Sequence, residues 1–184
     1  MTITSYSLEW QNPSGANWQA LVGLSSPSLS LTYTISAGVL AGTTYSFRLR
    51  ASNSLGWGSY SQSVDVIPSS VPAQLFPVQT SIENIYVKIS WTPLSNNGAV
   101  ITQYRVLILA GDSIQWFESS SCLSTDTSLV NNNFCLVPMA ELTGPTFNLP
   151  YNRVITAKVQ AKNLKGWSTL SVSNTVGAAV EVVP

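Results

Sequence analysis

The two cysteines are the residues with the clearest chemical potential in this chain of 184 residues. Cys122 and Cys135 stand at the two ends of a polar loop rich in serine, threonine and asparagine. A zinc site would need further cysteine or histidine ligands, and the sequence has no other cysteine and no histidine. A disulfide between Cys122 and Cys135 is therefore the favoured interpretation, and it would imply an oxidising compartment. The alternative is a pair of free, partly buried thiols in a cytosolic protein.

The acidic residues give no catalytic arrangement. Without histidine there is no Ser-His or Cys-His nucleophile pair and no histidine-based metal site. No two carboxylates have a spacing that suggests an acid and a base, and no glycine-rich phosphate loop or calcium-loop pattern is present. We therefore expect a protein that is not an enzyme and that holds no cofactor and no metal. The acidic residues are Glu9, Asp65, Glu83, Asp112, Glu118, Asp126, Glu141 and Glu181.

The composition limits the partners. Only 9% of the residues are charged and the net charge is zero, whereas binding to nucleic acid needs clustered lysine and arginine. No apolar run approaches the length of a membrane span, and the residues after Met1 lack the basic and apolar regions of a signal peptide. We expect no nucleic-acid binding and no membrane insertion. Low charge with abundant serine and threonine is typical of secreted proteins, so the expected location is extracellular or at the cell surface.

One stretch of sequence occurs twice. In the first copy Tyr45, Phe47 and Leu49 alternate with polar residues, which predicts a strand with one buried face. An Asn-x-x-Gly turn follows, and then a serine-rich strand, so each copy predicts a β-hairpin. The identities that recur after about 110 residues, roughly one sandwich domain, are Ala51, Asn53, Gly56, Trp57 and Ser61, which return as Ala161, Asn163, Gly166, Trp167 and Ser171.

At these residues the chain resembles the fibronectin type III family. Residues 45–53 resemble the F strand of that family, and Gly56 resembles the glycine of its F–G turn. Leu40 to Tyr45 resembles its tyrosine corner, in which the phenol bonds to backbone a few residues upstream. In the second copy Ile155 stands in place of the tyrosine.

The resemblance implies an all-β chain of two tandem immunoglobulin-like antiparallel β-sandwiches. Residues 1–68 would be an incomplete domain that starts at strand C, 69–72 a stiff proline-bracketed linker, and 73–184 a complete domain with an insertion between strands C′ and E. By the same comparison, the predicted strands are C at 3–10 and 101–108, C′ at 18–21 and 115–118, E at 29–33, A at 74–78 and B at 85–91.

The first copy has no counterpart of strands A and B. A sandwich without them would expose the core side of its remaining sheet and leave an edge to which another strand can add. We therefore expect contact with neighbouring sandwich domains of the same or an identical chain. The predicted strand-acceptor face consists of Tyr6, Leu8, Tyr45, Phe47 and Leu49.

Two tryptophans follow the turn glycines, beside outward-facing cations. Trp57 stands near Arg48 and Arg50, and the arrangement resembles the tryptophan and arginine ladder of cytokine-receptor sandwiches. Trp167 stands in the same way near Lys158 and Lys162. The structural interpretation is an indole that covers the hairpin, and the alternative is a contact with a ligand or with another domain.

The favoured function is a structural or adhesive segment of an extracellular tandem array or filament. The alternative is a receptor-like binding module that uses sandwich-end loops or the insertion between strands C′ and E. An intracellular scaffold with reduced cysteines is a third interpretation.

Overall fold

A computed structural model describes residues 1–13, 15 and 17–181. The chain divides into two compact units, Met1–Ser69 (unit 1) and Ser70–Pro184 (unit 2). Within unit 2, the Ser70 amide donates to the Asn97 carbonyl at 3.1 Å, and Asn97 Nδ2 donates to the Val71 carbonyl at 2.8 Å. Half of the segment predicted as a linker, 69–72, is thus bonded into unit 2. No helix in the described part of the chain is long and apolar enough to cross a bilayer.

Unit 1 is built on one antiparallel sheet of five strands, in the order β2-β1-β3-β4, with β5 also paired to β3. The central strands place Glu9 opposite Arg48 and Leu8 opposite Leu49. The strands are β1 Ser5–Gln11, β2 Gln19–Val22, β3 Tyr45–Asn53, β4 Gly56–Trp57 and β5 Val64–Val66.

The two faces of β1 have opposite character because side chains alternate along a strand. Ser5, Ser7 and Glu9 point to one face and are buried, although they are polar. Tyr6 and Leu8 point to the other face and are only half-buried. The polar face of this sheet is therefore the better covered of the two.

The strand E predicted at 29–33 does not form. Residues 23–44 contain no strand and run as turns and extended coil. A strand needs a ladder partner, and no described residue of unit 1 stands where strand B would pair with this segment.

Unit 2 is a two-sheet sandwich. One sheet has the order β10-β7-β6 and the other the order β12-β11-β8-β9, and all pairs are antiparallel. The elements are β6 Gln79–Glu83, β7 Tyr86–Ser90, β8 Gln103–Leu109, β9 Trp116–Phe117, α1 Ser128–Asn132, β10 Phe134–Pro138, α2 Met139–Thr143, β11 Ala157–Asn163 and β12 Gly166–Trp167.

The hydrophobic core lies between the sheets of unit 2. Val87 and Ile89 of β7, together with Val106 of β8 and Val159 of β11, have no solvent exposure. In unit 1, Tyr45 is the one hydrophobic side chain among the described residues that is fully buried. Apolar burial, the main driving force of folding, is thus concentrated in unit 2.

The predicted strand A is displaced along the chain. Ladder pairing to β7 begins at Gln79, whereas the prediction placed the strand at 74–78. Pro77 has no amide hydrogen to donate to a ladder. Leu75 and Val78 are nevertheless buried, so the segment covers the core without pairing.

The serine-rich strands expected after each turn are short or interrupted. In unit 1 the pairing to β3 stops after β4 and resumes only at β5. β12 has only two residues, and beyond it side chains replace backbone carbonyls as acceptors. Ser168 Oγ accepts from the Ala161 amide at 3.1 Å, and Ser171 Oγ accepts from the Val159 amide at 3.0 Å. The two serines also donate backbone bonds to the carbonyls of the same β11 residues, so this irregular edge is held by side-chain and backbone bonds together.

Candidate functional site

A buried carboxylate organises the polar face of unit 1. Glu9 is 5% exposed. Its Oε2 accepts from Nε of Arg48 at 3.0 Å and from Nη2 at 2.7 Å, and its Oε1 accepts from the Tyr60 hydroxyl at 2.6 Å. Nη2 of Arg50 lies 4.0 Å from Oε1. Three donated hydrogen bonds and two positive charges thus compensate the cost of burying this charge.

The ionisation of Glu9 follows from these contacts. Burial acts against the charged form, but the hydrogen bonds from Tyr60 and Arg48 and the charges of Arg48 and Arg50 outweigh it and lower the pKa of Glu9. The bond to Glu9 is also the main reason that the pKa of Tyr60 is raised. At neutral pH the site therefore holds an ionised carboxylate and a neutral phenol.

Aromatic rings alternate with the two guanidinium groups over this carboxylate. The guanidinium of Arg48 lies 4.2 Å from the ring centre of Trp18 and 3.8 Å from that of Tyr60. The guanidinium of Arg50 lies 4.4 Å from Tyr60 and 4.8 Å from Trp57. The row Trp18, Arg48, Tyr60, Arg50, Trp57, which we call the unit 1 ladder, covers the polar face of β1 and β3 with cation–π contacts.

Unit 2 carries a sparser row. Lys158 Nζ lies 4.3 Å from the ring centre of Trp116. The ring centre of Trp167 lies 4.6 Å from the guanidinium of Arg105 and 5.3 Å from Nζ of Lys162. Arg105 also forms an ion pair with a carboxylate, its Nε lying 2.9 Å from Oε1 of Glu118.

The structure corrects two of the predicted partners. Arg48 contacts Trp18 and Tyr60 rather than Trp57, and Lys158 contacts Trp116 rather than Trp167. Residues two apart on one face of a strand are separated by about 7 Å, so the tryptophan after the turn reaches only the nearer cation, and an aromatic residue from another segment covers the further one. Sequence reasoning missed four members of the two rows, although Trp18 and Trp116 do occupy matching places at the start of strand C′. The missed residues are Trp18, Tyr60, Arg105 and Trp116.

The apolar face of the unit 1 sheet, which we call the open face, carries Tyr6, Leu8, Phe47 and Leu49. Leu49 is 47% exposed, whereas Val159, its counterpart in the sequence repeat, is completely buried in unit 2. Two adjoining clefts of about 260 and 410 Å³ lie on this face.

Tyr45, which was predicted on the acceptor face, lies on the same face as Phe47 and lines the larger cleft, but its side chain is buried. Its ring stacks on that of Trp10, with centroids 5.3 Å apart, and its hydroxyl accepts from the Leu40 amide at 2.8 Å. The tyrosine corner is therefore formed in unit 1. In unit 2 Ile155 is buried at the matching position, while Tyr151, four residues earlier, is 71% exposed.

The structure contains the Cys122–Cys135 disulfide. It ties the insertion that precedes α1 to β10, where Cys135 pairs with Ile89. Two carboxylates hold the same insertion: Glu141 accepts from the Ser120 amide at 2.8 Å, and Glu118 accepts from the Ser124 amide at 2.9 Å. The disulfide and these two hydrogen bonds fix the insertion to the rest of unit 2.

Two hydrogen-bonded aspartates lie on the surface of unit 2. Backbone amides of Gln115 and Ile114 lower the pKa of Asp112. Bonds from Ser128 lower the pKa of Asp126. These contacts are local turn bonds, and among the described residues no three acidic, cysteine or histidine side chains converge as a metal site would require.

Curated proteins provide the family comparison. The chain is 36% identical over 72 residues to fibronectin type-III domain-containing protein 3A of Homo sapiens, across 38% of this chain and 6% of that protein. It is 27% identical over 135 residues to the Gallus gallus protein of that name, across 70% of this chain and 9% of that protein. Both relatives are named for their fibronectin type III domains. This chain spans less than a tenth of the length of these relatives.

Solved structures of other multidomain proteins also resemble this chain. The FN1–FN3 domains of chicken CNTN1 match 94% of this chain and 55% of theirs, with a TM-score of 0.48 and 19% identity. Domains A168–A170 of titin match 92% of this chain and 52% of theirs, with a TM-score of 0.44 and 20% identity. No family model matches the chain.

Proposed function

We propose that this chain is a non-enzymatic structural or adhesive segment of an extracellular array of fibronectin type III domains. The observation that carries the proposal is the pairing of two tandem units with a buried disulfide in one and an open apolar face on the other. Such units act as spacers and contact elements, and their chemistry lies in packing rather than in catalysis.

The disulfide supports the extracellular part of the proposal. Disulfides persist in oxidising compartments and are rare in the cytosol. Cys122 has no exposure and Cys135 is 4% exposed. A bond so well covered is structural rather than a surface thiol pair that cycles with redox conditions.

The cation–aromatic rows support the structural role in the proposal. In unit 1 the cation–aromatic row connects the polar face of β1 and β3 to Trp18 and Tyr60, which come from segments outside these two strands. Glu9 and Arg48 connect neighbouring strands, and Tyr60 links the chain after β4 back to β1. Each contact contributes about 0.5 to 2 kcal/mol. The row thus reinforces a sheet that buries little apolar surface of its own.

The experiment that tests the proposal locates the protein and its thiols together. An antibody against unit 2 is applied to intact and to permeabilised cells of the source organism, and free thiols are alkylated before lysis. The proposal expects labelling of intact cells and protection of both cysteines until a reductant is added. Labelling only after permeabilisation, with both thiols freely alkylated, would contradict it.

A further inference from the structure

The outer face of the sheet β12-β11-β8-β9 in unit 2 carries a row of positive charges. Side chains alternate along a strand, and Val106 and Val159 point into the core, so their neighbours in the sequence point outward. Among these outward residues are Arg105 on β8 and Lys158 and Lys162 on β11, all half-buried. We call these three residues the cation strip. They are three of only eight lysines and arginines in the whole chain.

The two lysines of the strip have no counter-ion. Among the described residues, no carboxylate lies within ion-pair distance of Lys158 Nζ or Lys162 Nζ. Each ammonium instead lies over an indole, at 4.3 Å from the ring centre of Trp116 for Lys158 and at 5.3 Å from that of Trp167 for Lys162. An aromatic ring holds an ammonium in place without cancelling its charge. The strip therefore presents two positioned cations whose charge is not compensated.

Unit 1 differs at the matching position. In its sheet Glu9 lies opposite Arg48 and forms an ion pair with it. Lys158 corresponds to Arg48 in the sequence repeat, and the residue opposite Lys158 is Leu107. The sheet face that contains its own carboxylate in unit 1 thus lacks one in unit 2, and an acidic group from a partner would supply the missing charge.

The spacing of the strip fits an extended polypeptide. Residues on one face of a strand repeat about every 7 Å, so Lys158 and Lys162 are separated by about 13 Å along β11. Arg105 lies opposite Gln160, midway between the two lysines. Carboxylates at positions i, i+2 and i+4 of an extended chain have the same spacing. The middle one would share Arg105 with Glu118, which already forms an ion pair with it.

We propose that the cation strip binds an acidic segment of a separate protein, in extended conformation and with carboxylates at alternate positions. Its outer carboxylates pair with Lys158 and Lys162, whose positions are already restrained by the indoles, so little conformational freedom is lost on binding. No two acidic residues of this chain are two or four positions apart, so charge complementarity points away from a second copy as the partner. The inference goes beyond the proposed function, which assigns no partner to this face.

The test titrates the whole chain with the capped peptide acetyl-Gly-Glu-Thr-Glu-Thr-Glu-Gly-amide at about 0.02 M salt, where screening is weak. Backbone and indole N–H chemical shifts measure binding, and we expect shifts at β8, β11, Trp116 and Trp167. The matched control peptide has the same composition in the order Gly-Thr-Glu-Glu-Glu-Thr-Gly. Because its carboxylates cannot reach both lysines, its Kd should be about threefold weaker.

Chain variants locate the contact. The double variant Lys158→Gln, Lys162→Gln should weaken the Kd for the alternating peptide about tenfold, since two ion pairs are lost. The double variant Lys158→Arg, Lys162→Arg keeps both charges and should bind within about threefold of wild type. Lys88→Gln, on the opposite sheet, is the matched control and should leave the Kd unchanged. The β7 amide shifts show whether each variant keeps the fold of unit 2.

Four outcomes would overturn the inference. The first is the absence of shifts on β8 and β11 at about 1 mM peptide. The second is equal binding of the two peptides, which would show a general attraction to negative charge. The third is an unchanged Kd in the glutamine double variant. The fourth is tighter binding of a sulfated polysaccharide than of the alternating peptide at equal charge, which would assign the strip to another class of partner. None of these outcomes depends on cellular location or on the disulfide, so failure here is distinct from failure of the proposed function.

Discussion

The Tyr60 hydroxyl donates a 2.6 Å hydrogen bond to Oε1 of Glu9 across the polar face of unit 1. The two residues are far apart in the sequence, and the bond connects the chain after β4 to the central strand β1. Without Tyr60 and Arg48 the buried carboxylate of Glu9 would lose its three hydrogen bonds, so the contribution of each of these residues depends on the other two. This group explains why a polar face is better covered than the apolar face behind it.

Replacing Glu9 by glutamine should destabilise unit 1. The change leaves Arg48 and Arg50, whose side chains are 24% and 19% exposed, without their counter-charge. We expect a loss of about 2 to 3 kcal/mol in the free energy of unfolding, below the range for fully buried pairs because both arginines reach solvent. Urea denaturation followed by exchange of the β1 and β3 amides measures it. The matched control is Glu83→Gln, whose exposed pair with Lys88 should contribute under about 1 kcal/mol.

The contribution of Glu9 should depend on pH. Its pKa in the folded protein is lowered, so its stabilisation is complete above the unfolded pKa of about 4.3 and is lost as pH falls through the folded value. The stability difference between wild type and Glu9→Gln should therefore be constant from about pH 6 to 8 and shrink below about pH 4. A difference that persists unchanged at the acid end would show that the ionised carboxylate is not the source.

Reduction of the disulfide should weaken unit 2 alone. The bond closes a loop with a sequence separation of 13 residues, for which the chain-entropy model gives about 3 kcal/mol. Thermal unfolding of wild type with and without reductant, and of the Cys122→Ser, Cys135→Ser double variant, measures the loss. The β1 and β3 amides of unit 1 serve as the internal control, and an equal loss there would contradict a local effect.

Removal of the Tyr45 hydroxyl should cost about 1 to 2 kcal/mol of unit 1 stability, because the Leu40 amide loses its acceptor. Tyr45→Phe keeps the ring and its stack on Trp10, so the change isolates the corner bond. The matched control is Tyr151→Phe in unit 2, at a side chain that is 71% exposed, where no change is expected. Chemical denaturation of each variant decides between them, and equal effects would reject the role of the corner.

Shortening the unit 1 ladder at its end should have a smaller effect. Trp57→Leu removes one cation–π contact to Arg50, and we expect a loss of about 1 kcal/mol. Leu55→Ala, two residues earlier in the turn and 81% exposed, should change stability by less than about 0.5 kcal/mol. A Trp57 variant as stable as the Leu55 variant would mean that the indole is not part of the bracing.

The sequence alone predicted the elements that depend only on residues close to one another in the chain. Alternation of apolar and polar residues predicted β1, β3, β8 and β11, and the Asn-x-x-Gly turns placed the hairpins, because period and turn chemistry act within a few residues. The cysteine pair was predictable for a similar reason, since two thiols without further metal ligands leave few alternatives. The tyrosine corner also follows from a short motif.

Tertiary structure decided the features that depend on a partner. Residues 29–33 have the pattern of a strand but form none, because a strand exists only where another strand supplies its hydrogen bonds. Tyr60 and Trp18 became ladder members only when folding brought them to Arg48, from opposite directions along the chain. No local pattern in the sequence marks Glu9 as buried, and its burial became favourable only because separate segments converged on it with three hydrogen-bond donors.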